Sequence, residues 1–469
     1  MSQVQAPALG WDSRQRRWTA ASTSDDWHPA DIGGGELLID PDTLDHFAES
    51  LGRRNHARPM AVYQPRTTQD VAALIRFCGR HGIRVAARGT QHSTGTQGLG
   101  ADVHIDMRTM TAIHEVTDRS ITADAGVTLR QLAETAWCHQ RRLAGGTTGY
   151  TRLTSGGVLS VGGFSPGAWR DASLGEAALG AEVVIGTGEI LDCGPTYNPW
   201  LWKVIRGGLG QFGIVTRIQW GLRPAPQLVT TRTRTFRDPT DLLTCARTLM
   251  HAGHDGVWAR WQQPDQLELR VETHHHDDTA DLPPLDGPPD SSLTLPYLDH
   301  VRLFDEHFYD PLIQRSWATW RKDWRDVLVD DTQIDGFLQA AFRAQRAHHF
   351  RSPGAIAILM PKSRRASTSA LPLPAGDSER MWLVDWLLDD GGEDWDDMNA
   401  WAADLTVAAR SVGAVAYHIG NITLKFDEHY RPAAPLIREL RDLVDPHALF
   451  GHGLWTETPS EPGSSTAGG

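Results

Sequence analysis

Lysine is nearly absent from this sequence. Only Lys203, Lys322, Lys362 and Lys425 occur, and arginine supplies the other basic residues, a bias we read as coding preference rather than function. Basic residues are also in deficit, 45 Lys+Arg against 58 Asp+Glu, for a net charge of −13. That field repels phosphate backbones, so nucleic acid is not an expected partner. No apolar run approaches the ~18 residues of a membrane span, so no membrane association is expected. Met1 to Trp18 has no apolar stretch between basic and small-residue flanks, so a cleaved secretory leader is not expected either. Cys78, Cys138, Cys193 and Cys245 are widely spaced with no CxxC pair. This argues against a zinc knot or a disulfide framework and suits a reducing compartment, with the cytoplasm as the expected location. No internal repeat is present.

A length of 469 residues corresponds to about three compact domains or two large ones. A hydrophobic content of 40% with 45 glycines belongs to a globular chain rather than a disordered one. Eighteen tryptophans are many, and ordinary core packing is the reading we favour over an aromatic pocket. In the second half, Trp258, Trp261, Trp317 and Trp320 are the candidate pocket walls.

Residues 1–35 are polar, end in three glycines and read as a loose lead-in. Strands are expected at Ala61–Tyr63, Ile83–Ala87, Val103–Asp106 and Ser120–Ala123, with helices from Thr68 to Gly82 and from Val127 to Trp137. Such alternation indicates mixed α and β structure. Ala181–Ile185 and Glu189–Asp192 flank Gly186-Thr187-Gly188, a hairpin signal. Pro224 and Pro226 mark a domain exit, His274 to Ser292 reads as a polar loop, and a helix spans Pro432 to Val444. The Ser/Pro/Gly-rich tail is expected to be disordered.

Gly208-Leu209-Gly210-Gln211-Phe212-Gly213 matches the dinucleotide pattern GxGxxG. That fingerprint needs a strand before it and a helix after it. Here the order is reversed, with a helix at Asn198–Ile205 and a strand at Ile214–Ile218, so a nicotinamide-nucleotide site is not expected. A better phosphate cradle is Arg88-Gly89-Thr90-Gln91-His92-Ser93, leaving the strand that ends at Ala87. Such a loop can turn successive N–H groups toward an anion, Gly89 permits close approach, and Ser93 adds a hydroxyl. Ser155-Gly156-Gly157 and Gly162-Gly163 can supply an opposite wall, and the two loops together suit a long diphosphate cofactor. Taken bare, either cluster is also an ordinary turn. His274-His275-His276-Asp277-Asp278 invites a metal reading, but adjacent histidines project in different directions. We read the run as a solvated loop and expect no metal.

Together these residues resemble the flavin-linked oxidases of the vanillyl-alcohol-oxidase fold, most closely the cytokinin dehydrogenases. Arg88-Gly89-Thr90-Gln91-His92-Ser93-Thr94-Gly95-Thr96-Gln97 is similar to the family loop whose histidine bonds covalently to FAD. Thr154-Ser155-Gly156-Gly157-Val158-Leu159-Ser160 resembles a second flavin segment, and Gly207 to Arg217 nearly reproduces a third. Weaker matches are Pro296 to Val301 and Asp445 to Leu449. The resemblance implies FAD as cofactor, held by Arg88, Gly89, Thr90, Gln91, His92, Ser93, Gln97, Thr154, Gly156, Gly157, Ser160, Phe164 and Val215. His92 then admits three readings: a plain loop histidine, a covalent link to the flavin, or a neighbour of a noncovalent flavin. The resemblance favours the link.

The implied fold is α+β: a two-subdomain FAD-binding domain plus a cap with an antiparallel sheet and flanking helices. The expected boundaries are a lead-in at 1–49, the FAD-binding domain at 50–225, the cap at 226–417, a return at 418–455 and the tail at 456–469. The implied activity is transfer of hydride from a small organic substrate (amine, alcohol or secondary metabolite) to flavin N5, with dioxygen or another acceptor closing the cycle. Two departures matter. Gly149 stands where the family carries its catalytic aspartate, and His452-Gly453-Leu454 replaces a terminal Pro-Gly-Gln that helps hold the flavin. The first leaves Tyr150, Asp171, Tyr417 and His418 as candidate proton acceptors, and argues against cytokinin oxidation unless the base is displaced. A flavoprotein using FAD as scaffold for a non-redox cyclisation is the other alternative.

Overall fold

The computed structural model describes residues 9–20, 29–171, 173–262, 266–277, 282–285, 287–349, 351–352, 355–392, 395–417, 419–420 and 425–454. Three main sheets organise them. The first has four strands in the order Glu36–Leu38, Ala61–Gln64, Val103–Asp106, Val85–Arg88, and its last three are mutually parallel. The parallel pairing requires a crossover, which the helix Thr68–His81 supplies. Thr67 and Asp70 cap each other's backbone N–H at its start, and Gly82 ends it at φ 61°, a left-handed conformation glycine adopts without penalty.

The second sheet is antiparallel, running Ile190–Cys193, Ala178–Val184, Ile214–Pro224, Ser120–Asp124, Ile113–Val116. The hairpin expected around Gly186-Thr187-Gly188 is its edge. The helix expected from Val127 starts at Leu129 instead, because Thr128 is spent as its cap in a capping box with Gln131. Both sheets share one hydrophobic core, to which Val85, Ile105, Ile121, Val183 and Ile218 contribute. The segment read as a loose lead-in is partly folded. Leu9–Asp12 and Arg17–Ala20 pair as a hairpin, and Trp18 stacks on Phe77 at 5.3 Å. Only the pairing of Trp11 and Trp18 with a helix face far along the chain reveals it, and no local periodicity encodes that.

The third sheet is an eight-stranded antiparallel layer in the order Ser291–Pro296, Leu228–Phe236, Gln266–His275, Gly256–Gln262, Ile356–Ser363, Arg380–Leu387, Arg325–Asp330, Val415–Ala416. Alternation splits its side chains between two faces. Trp261, Trp382, Val384 and Trp386 enter a core covered by the helices Pro239–Met250, Ile334–Ala347 and Trp395–Ser411. Trp261, Trp386 and Trp401 pack there with ring centroids 5.4 to 5.9 Å apart, so Trp261 is core and not pocket wall. The other face, with Trp258, Trp324, Leu328, Ile358 and Leu383, looks back toward the first two sheets. Chain continuity closes the arrangement. Asp445 accepts the N–H groups of Leu449 and Phe450, and Leu449 C=O accepts from Val85, which returns the C-terminal segment to the first sheet. No helix among the described residues is long and apolar enough to cross a membrane.

Candidate active site

Between the free face of the third sheet and the glycine-rich loops lies a cavity of about 730 Å³. Every candidate site residue named from the sequence lines it except His418, which lies outside the described residues. Trp258 and the unforeseen Trp324 are in its wall. Trp320 lies outside it, half-buried, and the side chain of Trp317 is not among those described.

The first loop is held from behind by Arg88. Its buried guanidinium donates to the carbonyls of Gly98 (2.9 Å) and Glu49 (3.0 Å) and to Gln91 Oε1 (2.8 Å). Burial, with Arg108 nearby, depresses its pKa to about 10. Arg88 therefore shapes the loop through these three bonds. Gln91 adopts φ 58°, the left-handed conformation that anion nests use at one of their residues. Gly89 is where the two loops meet. A methyl group there would overlap the Thr154 hydroxyl outright and stand 3.1 Å from Thr154 Cβ. Gly156 is also tightly packed, since a Cβ would lie 2.8 Å from that of Ala125. The false dinucleotide motif has the reversed order expected, helix Pro199–Ile205 before it and strand Ile214–Pro224 after it. Leu209, Gly210, Gly213 and Val215 nonetheless reach the cavity wall.

His92 sits among rings, stacked on Tyr150 at 4.5 Å and edge-on to Tyr309 (5.5 Å) and Trp324 (5.6 Å). Burial and the charge of Lys322 push its pKa down to about 3, so the imidazole is neutral, with an unprotonated nitrogen available as a nucleophile or acceptor. Burial also raises the pKa values of Tyr150, Tyr309 and Tyr417, which keeps all three protonated in the neutral range. Tyr417 accepts the N–H of Gly163 at 3.1 Å and packs on Phe164 at 4.9 Å. Asp171 is engaged by Arg223 (3.3 Å) and Arg170 (3.4 Å). A Cβ on Gly149 would meet Phe304 Cδ1 at 3.2 Å, so the cap occupies the space beside that glycine.

Two features escaped sequence reasoning. Asp305, wholly buried, accepts from the Thr151 N–H (3.0 Å), the Thr151 hydroxyl (2.5 Å) and Arg130 (2.8 Å). It thereby fastens the helical segment carrying Phe304 and Tyr309 to the loop carrying Gly149 and Tyr150. The histidine run is also no solvated loop at its start, because the strand Gln266–His275 continues through it. His274 lines the cavity, and His275 points the other way to bond Thr230 at 2.8 Å. Period-two alternation from Leu267 onward was the available signal. Near His274, Glu272 accepts from Trp258 Nε1 (2.9 Å) and approaches His300 (3.6 Å). Burial acts to raise the Glu272 pKa, but His300, His274 and the Trp258 N–H prevail and hold it below the usual carboxylate value. Among the described residues no cluster of three ligating side chains could hold a metal ion.

The donor set fits a flavin dinucleotide. Gln91 Nε2 and Gln97 Oε1 are buried polar atoms without partners on the cavity wall, and Gly89 and Gly157 leave a cradle beside Thr154 that side chains would fill. The cavity is mostly apolar and polar at chosen points, as a cofactor pocket requires.

Residues 59–194 match the family model described as FAD binding domain. The chain thus carries an FAD-binding domain on a fold of the vanillyl-alcohol-oxidase type, as its motifs suggested. It is similar to cytokinin dehydrogenase 5 of Oryza sativa subsp. japonica, 31% identical over 239 residues, which are 48% of this chain and 45% of that protein. An uncharacterized oxidoreductase, ORF5 in the fasciation locus of Rhodococcoides fascians, is 30% identical over 204 residues, 43% of this chain and 44% of the relative. The matched part therefore spans about half the length of these curated relatives. Among solved structures, chitooligosaccharide oxidase superposes with a TM-score of 0.72 at 15% identity, covering 91% of this chain and 97% of that one, a likeness of fold.

Proposed function

We propose that this protein is an FAD-dependent oxidoreductase that takes hydride from a small organic molecule held between the two loops and the cap sheet. One observation carries the reading: the loops beginning at Arg88 and Thr154 touch at Gly89 on the wall of a cavity about 730 Å³ in volume, within a segment that matches an FAD-binding domain. FAD would supply the two-electron acceptor. Gln91, Gln97 and the glycines of both loops would hold it, and His92, kept neutral by its ring cage, would be its covalent anchor. The protonated phenols of Tyr150 and Tyr417 would donate hydrogen bonds rather than accept the substrate proton. The cap excludes water and orients the substrate C–H.

The Oryza relative, a cytokinin dehydrogenase, favours an N6-isoprenoid adenine as the first compound to try, while Gly149 weighs against it. Oligosaccharides and simple alcohols complete the panel. Anaerobic mixing with each compound tests the redox reading: bleaching of the flavin band supports it, and product formed without bleaching favours the scaffold alternative. Colour that stays in an acid-precipitated pellet, and leaves it in His92→Ala, supports the anchor. Colour retained by His92→Ala contradicts it.

A further inference from the structure

Oxidation of an alcohol or amine releases a proton as well as a hydride, and with His92 given to the flavin in the reading above and the Tyr150 phenol protonated, the glycine loops leave no acceptor for it. The position beside Gly149 is filled by Phe304. The cap sheet, which forms another wall, carries two aspartates directly across from one another. Asp326 and Asp385 are Cα partners in the antiparallel pairing of Arg325–Asp330 with Arg380–Leu387. Partners across a ladder share a face, and theirs is the cavity side, with Trp324, Leu328, Leu383 and Leu387. Asp326 is 0% exposed, and Asp385 is 7% exposed and lines the cavity. Both carboxyl oxygens of Asp326, and Oδ1 of Asp385, are buried without a hydrogen-bond partner.

Two such groups in an apolar wall cannot both be ionised near neutrality. The facing groups do not change this. Tyr309 and Tyr417 are buried phenols, Asp323 just before the Asp326 strand adds like charge, and Arg325, whose charge acts the other way, is engaged by Asp323 at 2.7 Å. Burial raises the Asp385 pKa to about 8, and burial together with Asp385 raises that of Asp326.

We propose that Asp385 accepts the proton lost by the substrate as its hydride passes to the flavin, in place of the acid that Gly149 cannot supply. The inference rests on the redox reading above. The substrate loses one C–H bond and one O–H or N–H bond. The electron pair of the first goes to the flavin with its hydrogen, and the proton of the second goes to Asp385. An acceptor of the dioxygen or quinone class would then take both electrons with that hydrogen and one further proton, to give hydrogen peroxide or a hydroquinone, and loss of the proton from Asp385 would complete the cycle. Asp326 remains a neutral acid and takes no part in the transfer.

The test uses the full holoenzyme and three measurements. With the compound from the panel that bleaches the wild type, Asp385→Asn is expected to slow anaerobic bleaching by about 10²–10⁴-fold at unchanged flavin content. Asp326→Asn, which imitates a neutral acid, is expected to stay within about threefold, and wild-type bleaching is expected to accelerate as pH rises toward 8. Asp385→Asn within about threefold of wild type, or Asp326→Asn as slow as Asp385→Asn, overturns the proposal. The third measurement needs no substrate. The unfolding midpoint of Asp385→Asn should exceed that of wild type by a margin that widens from about pH 5 to pH 9. A constant margin, or a variant that fails to fold, contradicts a buried acid that resists ionisation. If nothing in the panel bleaches the wild type, the redox reading fails and the catalytic role falls with it, while the stability margin still reports whether Asp385 is a buried acid.

Discussion

Replacing Gly89 by alanine is the most local perturbation of the account. The added methyl would overlap the Thr154 hydroxyl and come within 3.1 Å of Thr154 Cβ and 3.3 Å of Cγ2. Thr154 is 3% exposed and stands at the start of the helix Ser155–Val161, so it has little room to retreat. Overpacking of this kind costs about 1–3 kcal/mol, and relief comes by forcing the two loops apart. If the flavin diphosphate bridges them, most of that cost appears as lost affinity, roughly 5- to 150-fold. The assay is flavin content of the purified variant, followed by titration of the apoprotein with FAD. His92→Ala serves as the background, so that a covalent link does not hide the equilibrium. Thr154→Ala removes the colliding atoms, so Gly89→Ala/Thr154→Ala should regain FAD binding, with a coupling of about 1 kcal/mol or more. Wild-type FAD affinity in Gly89→Ala, or no rescue by Thr154→Ala, would refute the reasoning.

An acid placed at Gly149 is expected to add no chemistry: Gly149→Asp should collide with Phe304, lower the unfolding temperature and leave bleaching no faster, as stopped-flow and thermal scans would show. Asp305→Ala breaks a buried carboxylate's bonds to Arg130 and Thr151, with an expected loss of about 3 kcal/mol by urea denaturation. Asp385 has a folded pKa raised from 3.8 to about 8, so the folded state binds the extra proton and stability falls as pH rises from about 4 through 8. The loss relative to Asp385→Asn is on the order of 5 kcal/mol, measured by urea denaturation across that range. His348 lies between Asp397 (2.7 Å) and Asp404 (3.0 Å), which outweigh its partial burial and raise its pKa. Its contribution is present below about pH 6.5 and lost as pH rises through the raised value, so His348→Gln should flatten the thermal midpoint over that interval.

The flavin side of this molecule was legible because its determinants are local. Thr67-x-x-Asp70 with Gly82 writes a helix into the sequence, and Gly186-Thr187-Gly188 writes a hairpin. Gly89 was readable as a close approach, although its partner Thr154, 65 residues on, was not. The cap was hidden for the opposite reason. Asp326 and Asp385 are 59 residues apart in the chain, and only the pairing of their strands sets one against the other. Asp305 looks like any acidic residue on a helix until the loop at Thr151 meets it. His274 was misread because the Pro/Asp-rich text around it suggested a solvated loop, when the strand alternation that governs it had begun at Leu267.

The central claim is that the loops at Arg88 and Thr154 and the facing cap sheet enclose one isoalloxazine dinucleotide. A visible absorbance titration of the purified protein with FAD tests it most directly. The account predicts one flavin per chain, present on purification or taken up to saturation, with the spectrum of a buried ring. A protein that is colourless when isolated and remains so with FAD in excess contradicts it.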